Sequence, residues 1–129
     1  MTMNKIVVDD MFLTTDLPTT AGSKMLEGYN SLFEAEVLTR LKAAGFTVAG
    51  KTKVGEFGAD LLGETCYFGA EYENDVLQYP AALAVKTGEA EAAVVLDVNG
   101  APRRGAAQAG LVALKPTYGR VSRYGTIPV

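Results

Sequence analysis

The sequence predicts an α/β domain, and three observations carry that expectation. Ala92-Ala-Val-Val-Leu96, a turn at Asp97-Val-Asn-Gly100, a short helix over residues 102–109 and a β-type run at 111–114 form a strand–turn–helix–strand series. A helix closing on Gly45 and followed at once by Phe46-Thr-Val-Ala-Gly50 is the αβ half of a parallel unit. Ile6-Val7-Val8 is a short apolar run of the kind that suits a buried strand. In such sheets ligands sit beyond the carboxyl ends of strands. Asp9, Asp10, Asp97 and Asn99 fall at such ends.

Taken in order, the first strand ends at Asp9-Asp10. Residues 14–20 hold Pro18 and four threonines and read as loop. Residues 21–28 allow one or two helical turns. Ser31 with Glu34 three residues later has the form of a capping box. Leu32, Ala35, Leu38 and Leu41 then recur at helical spacing, with Glu36 and Arg40 at i,i+4 on the other face. Residues 51–69 are glycine-punctuated and carry no clear period, and 70–78 are acidic, with Glu71, Glu73 and Asp75. Pro80 suits the first turn of a helix running to about Thr87. Residues 92–96 follow as a buried strand, then the turn, the short helix closed by Gly110, and the run 111–114. The last fifteen residues, 115–129, rich in Gly, Pro and Tyr, read as an extended tail on a single domain spanning 1–129.

Composition excludes several chemistries. The chain has 129 residues, 48% of them hydrophobic, with 12 Lys and Arg against 15 Asp and Glu for a net charge of −3. That suits one globular core and argues against nucleic-acid binding through bulk charge. Histidine is absent, so Ser-His-Asp and Cys-His catalysis, histidine zinc sites and imidazole switches are excluded. The single Cys66 rules out an intrachain disulfide and a thiolate metal cluster. No apolar run approaches the roughly 18 residues of a membrane span, and Asp9 and Asp10 interrupt the one apolar start near the N-terminus. A cytoplasmic protein without a membrane segment is expected.

Gly110-Leu-Val-Ala-Leu-Lys-Pro-Thr-Tyr-Gly-Arg-Val-Ser-Arg-Tyr-Gly125 resembles the block that follows the nucleophile in amidase signature enzymes. Thr19-Thr-Ala-Gly-Ser-Lys-Met-Leu26 is similar to that family's segment after its catalytic lysine. Ala44 to Lys53 with Glu56-Phe57 is similar to its next strand and loop, and Gly88-Glu-Ala90 and residues 97–107 continue the match in order. The resemblance is strongest to the amidotransferase branch of that family and implies a truncated amidase-signature core, a small mixed sheet flanked by helices. It also implies an ancestral chemistry: cleavage of an amide by a Ser–cis-Ser–Lys triad in which lysine is the ultimate base.

Carried over position by position, the triad is not found. The lysine of the family's Lys-Asp-Asn falls at Asp9, with Asp10 at the matching aspartate. The nucleophile of its Asp-Thr-Gly-Gly-Ser-Ile-Arg string falls at Ala101, within Asp97-Val-Asn-Gly-Ala-Pro-Arg103. The middle serine falls at Leu77 or Gln78, in a stretch that lacks the family's glycines and serines. Asn99 replaces a glycine of the turn whose N–H groups form the family's oxyanion hole, and Pro102 brings no donor.

These features lead to a catalytically inactive amidase-like pseudoenzyme, a binding, regulatory or assembly module with no cofactor. Asp9, Asp10, Asp97, Asn99, Gly100, Ala101 and Arg103 form the candidate residual pocket. No metal is expected; Asp9, Asp10 and Asp97 are the weak candidates should a hard cation bind there; the alternative is structural hydrogen bonding for Asp10 and Asp97 and a solvated replacement at Asp9. Arg103 and Arg104 could clamp an anion or serve as a surface charge pair. Cys66 reads as a packed small residue. Tyr118, Arg120, Arg123 and Tyr124 read as structural. Exposed faces and edges left by truncation imply a homodimer, another homo-oligomer or a covering protein partner. The alternatives are an enzyme of changed chemistry using Asp9, Asp10 and Asp97, or an accessory component of a tRNA-dependent amidotransferase system.

Overall fold

The structure is a computed structural model and describes residues 4–129. Strand β1 (Lys5–Asp9) is the centre of the fold. Its β-branched residues alternate between two buried faces: Val8 packs with Phe12, Ala35 and Leu38, and Val7 with Ala84 and Ala90. Helix α1 (Glu36–Ala43) covers the first face and leads through Gly45, at φ +98°, into β2 (Thr47–Thr52). A hairpin of β3 (Glu71–Glu73) and β4 (Val76–Gln78) precedes α2 (Pro80–Lys86), which covers the second face. Strand β5 (Ala92–Val94) and α3 (Ala101–Ala109) complete the order.

The main sheet runs β2-β1-β5, and both pairings are parallel. The α/β class is the expected one, but the main sheet is parallel rather than mixed; antiparallel pairing occurs in the separate β3–β4 hairpin and in one isolated bridge between Phe12 and Thr126. Lys5 pairs with Thr47 and Ile6 with Val48, then a register shift brings Val7 opposite Gly50. The β1–β5 register sets Ile6, Val7 and Val8 against Ala92, Ala93 and Val94. The carboxyl ends of β1 and β5 therefore lie side by side, which brings Asp9 within reach of Leu96.

Three local expectations are corrected, and the unassigned acidic stretch gains a structure. α1 begins after residue 35, not at a Ser31 capping box. Ser31 instead closes a local turn with the Phe33 backbone, Glu34 binds Thr39 and Lys42, and Leu32 is 96% exposed. The donors at the helix start are met by loop carbonyls, Ala35 N–H bonding Leu13 O and Glu36 N–H bonding Tyr124 O. β5 is a half-exposed edge strand of three residues, because among the described residues its only neighbour is β1. Residues 111–114 form no strand, for want of a partner at their side; Val112 is 99% exposed. The acidic stretch 70–78 is a hairpin turning on Asn74 and Asp75, both at positive φ.

The tail is extended as expected, but it is sewn to the core. Leu13 N–H bonds Gly125 O at 2.9 Å and Ile127 N–H bonds Met11 O at 2.8 Å. Gly125, at φ +84°, sits so close that an added Cβ would lie 2.5 Å from Ala35 Cα. Among the described residues no helix is long and apolar enough to cross a membrane.

Candidate functional site

Beyond the ends of β1 and β5 lies a small cavity of about 20 Å³, the size of one water molecule. Asp9, Asp60, Tyr79, Asn99 and Ala101 line it, with Met11 and Leu96 among the apolar walls. Asp9 is 1% exposed. One of its oxygens accepts from Met11 N–H at 3.1 Å and the other from Leu96 N–H at 2.8 Å. The side chain thus clips the end of β1 to the chain leaving β5. Burial drives its pKa up to about 7, and neighbouring Asp10 adds to the rise; the two N–H donors and Lys51 oppose it.

Asp10 faces another network. It accepts from the backbone N–H of Thr20 at 3.1 Å and from its hydroxyl, and it pairs with Lys51 at 3.3 Å. Lys51 also bonds Pro18 O and the Thr19 hydroxyl, and burial lowers its pKa against the pull of Asp10. Asp97 takes a third role. It accepts from Gly100 N–H at 2.8 Å, from Arg103 through both oxygens, and sits 3.7 Å from Lys115. Burial raises its pKa, but Arg103, the Gly100 N–H and Lys115 outweigh burial and hold the carboxyl below its usual value.

The three aspartates expected at one sheet end are therefore committed to three separate sets of partners. Among the described residues no three Asp, Glu, Cys or His side chains are grouped to hold a metal ion. Of the sequence-derived pocket, Asp9, Asn99 and Ala101 meet at the cavity. Asp97 and Arg103 instead face a larger groove on the β5 side. Gly100, at φ +88°, shapes the turn, and Asp10 points away towards Thr20. Leu77 and Gln78 belong to β4; the Gln78 amide donates to Val76 O. Arg104 is exposed at the surface of α3 and makes no ion pair among the described residues.

Helix α3 begins at Ala101, and two of the donors at its head are already used. Gly100 N–H goes to Asp97, Ala101 N–H goes to the Asn99 side-chain oxygen at 3.1 Å, and Pro102 has no N–H. Ala101 itself is 5% exposed and offers a methyl group to the cavity.

Two lining residues carry no clear mark in the sequence. Tyr79 is 8% exposed, and burial followed by Asp9, Asp97 and Asp60 pushes its phenol upward, so it stays protonated. Its one signal is its place just before Pro80 at a helix start. Asp60 accepts from Gly63 N–H, Thr65 N–H and the Thr65 hydroxyl. The Asp-x-x-Gly-x-Thr spacing is the signal of that turn.

Residues 5–73 match the family model described as Amidase. The chain belongs to the amidase family. The A subunit of glutamyl-tRNA(Gln) amidotransferase from Halobacterium salinarum is 43% identical over 95% of this chain, and the one from Symbiobacterium thermophilum is 42% identical over the same share. The crystal structure of its Thermotoga maritima counterpart superposes with a TM-score of 0.90 over 95% of this chain at 35% identity. The chain spans 30%, 26% and 29% of the length of those three proteins.

Proposed function

We propose that this amidase-family chain is a binding, regulatory or assembly module without amide-cleaving chemistry. The observation that carries the reading is the head of α3. At the position aligned with the family nucleophile stands Ala101, and the adjoining Gly100 and Ala101 N–H groups are bonded to Asp97 and Asn99. An acyl-transfer site needs a nucleophile and donors free to meet the oxyanion; here the side chain has no oxygen and both donors are taken. Asp9, at the lysine position, is a buried acceptor of two N–H bonds. Leu77 and Gln78 stand on a β-hairpin where the middle serine aligns. Loss of a nucleophile alone costs several powers of ten in rate.

The test is ammonia release from glutamine, asparagine and simple aliphatic amides by the purified chain. The expected rate equals that of buffer. Turnover that disappears on one substitution at the cavity contradicts the reading.

One observation favours a second reading, an enzyme of changed chemistry: a carboxyl with a pKa of about 7 beside a polar cavity is suited to proton transfer. An activity whose pH profile bends near 7 and loses that bend in Asp9→Asn supports it. The relatives are named as subunits of an amidotransferase, which supports membership of such an assembly as an accessory component; a homodimer, another homo-oligomer or a covering protein partner is the other arrangement. The single thiol of Cys66 suits a cytoplasmic setting. The native mass of the endogenous protein, measured with whatever remains bound, separates these arrangements.

A further inference from the structure

The chain has four asparagines, and only Asn99 is followed by glycine. The pair stands at the head of α3, where Asn99 is exposed and Gly100 sits at φ +88°. An asparagine–glycine pair can rearrange. The glycine nitrogen, with no side chain to shield it, can reach the side-chain carbonyl carbon of the asparagine and close a succinimide ring. Holding the two reacting groups in one turn is what speeds such a step.

Each group that takes part in the closure has a partner here. The nucleophile is the Gly100 nitrogen, whose N–H donates to Asp97 Oδ1 at 2.8 Å. Burial works against ionisation of that carboxyl, but Arg103 and the Gly100 N–H outweigh it, so Asp97 is an anion at neutral pH and can take up a proton. The electrophile is Asn99 Cγ. Its Oδ1 accepts from Ala101 N–H at 3.1 Å, so negative charge gathering on that oxygen during attack meets a donor at the start of a helix. The leaving group is Nδ2, which donates to Asp60 O at 3.2 Å and belongs to a side chain open to water.

We propose that Asn99–Gly100 is a self-modification site, at which the folded turn converts Asn99 through a succinimide into aspartate and isoaspartate. The Gly100 nitrogen bonds to Asn99 Cγ while its proton passes to the Asp97 carboxylate and on to solvent. The Cγ–Nδ2 bond breaks, and the departing nitrogen takes up a proton and leaves as ammonia. Water then opens the ring at either carbonyl, so one water is consumed for each ammonia released. The product has no Nδ2 donor for Asp60 O, and it adds a carboxylate at a cavity that Asp9 and Asp60 already line. Isoaspartate also lengthens the main chain by a methylene just ahead of α3. The inference is independent of the module reading. Its ammonia comes once, from the chain itself and without an amide substrate, whereas enzymatic turnover continues while substrate lasts.

The test follows the full chain alone, kept at neutral pH and sampled over time by peptide-mapping mass spectrometry that separates asparagine, aspartate and isoaspartate at position 99. An end-capped peptide of residues 96–103 and the full chain unfolded in urea supply the rate without the folded turn. The folded chain should convert Asn99 at least roughly fivefold faster than either, with Asn30 and Asn74 slower than Asn99 by at least roughly tenfold. Asp97→Ser keeps a hydroxyl acceptor for the turn but removes the carboxylate. With its fold checked by circular dichroism, that variant should fall to about the rate of the peptide. The comparison with the peptide needs no variant and decides alone if Asp97→Ser does not fold. A folded rate equal to or below that of the peptide overturns the proposal. So does conversion spread evenly over the asparagines, or a folded Asp97→Ser chain that keeps the full rate.

Discussion

Asp9 shows how a single buried carboxyl can join two parts of a sheet. It accepts from two backbone N–H groups and ties β1 to the chain leaving β5. Because its folded pKa, about 7, stands above the unfolded 3.8, the folded state holds a proton that the unfolded chain releases. The stability this gives is full below about pH 4 and is lost as pH rises to about 7, amounting to at most roughly 4 kcal/mol. Urea unfolding at pH 5 and pH 8 should show the decline, and Asp9→Asn should abolish that part of the slope. Asp97 has the opposite sign. Its carboxyl is held below its usual value, so its contribution is present above the unfolded pKa and disappears as pH falls through the folded one. An unchanged slope between pH 5 and 8 in Asp9→Asn contradicts the assigned burial of Asp9.

At the scale of elements, α3 packs closely on the start of α2. A Cβ built on Gly105 would lie 2.2 Å from Tyr79 Cβ, a clash no rotamer of Tyr79 relieves, since Cβ is fixed to the backbone. Gly105→Ala should destabilise by about 1–3 kcal/mol and disturb the tyrosine side chain at the cavity, read by thermal unfolding and tyrosine fluorescence. Leu38 on α1 is fully buried against Val8, Phe12 and Ala35; Leu38→Ala should cost about 2–5 kcal/mol in denaturant unfolding.

These elements also show what the sequence makes legible. β1, the α1–Gly45–β2 unit, the Pro80 start of α2 and the Gly110 end of α3 each carry a local signal, in branched apolar runs, a glycine in the left-handed region or a proline at a helix head. The β3–β4 hairpin does not: its strands are three residues long and acidic, and only the turn residues Asn74 and Asp75 mark it. α1's start is set by carbonyls of residues 13 and 124, which no local pattern announces. At the site, Ala101, Asp9 and Asn99 are legible by alignment to a family. Tyr79 and Asp60 are not, because they reach the cavity only through the packing of α2 and the turn at 60–65.

For the molecule as a whole, the core is complete around β1 while the β5 side is open. Parallel sheets are normally covered on both faces and guarded at their edges; here β2 and β5 are edges, and beside β5 an apolar groove faces solvent. The tail, by contrast, is held by backbone bonds to residues 11, 13 and 36. Gly125→Ala, which would place a methyl group 2.5 Å from Ala35 Cα in a left-handed backbone, should release it. Faster amide exchange at 125–127 and a lower melting temperature are the expected signs. The absence of an attacking hydroxyl at the head of α3 is the claim on which the functional account depends, and intact-protein mass spectrometry after exposure to a p-nitrophenyl ester tests it most directly. The account predicts no covalent acyl adduct. A stoichiometric acyl adduct mapped to any serine, threonine or tyrosine hydroxyl of the chain would contradict it.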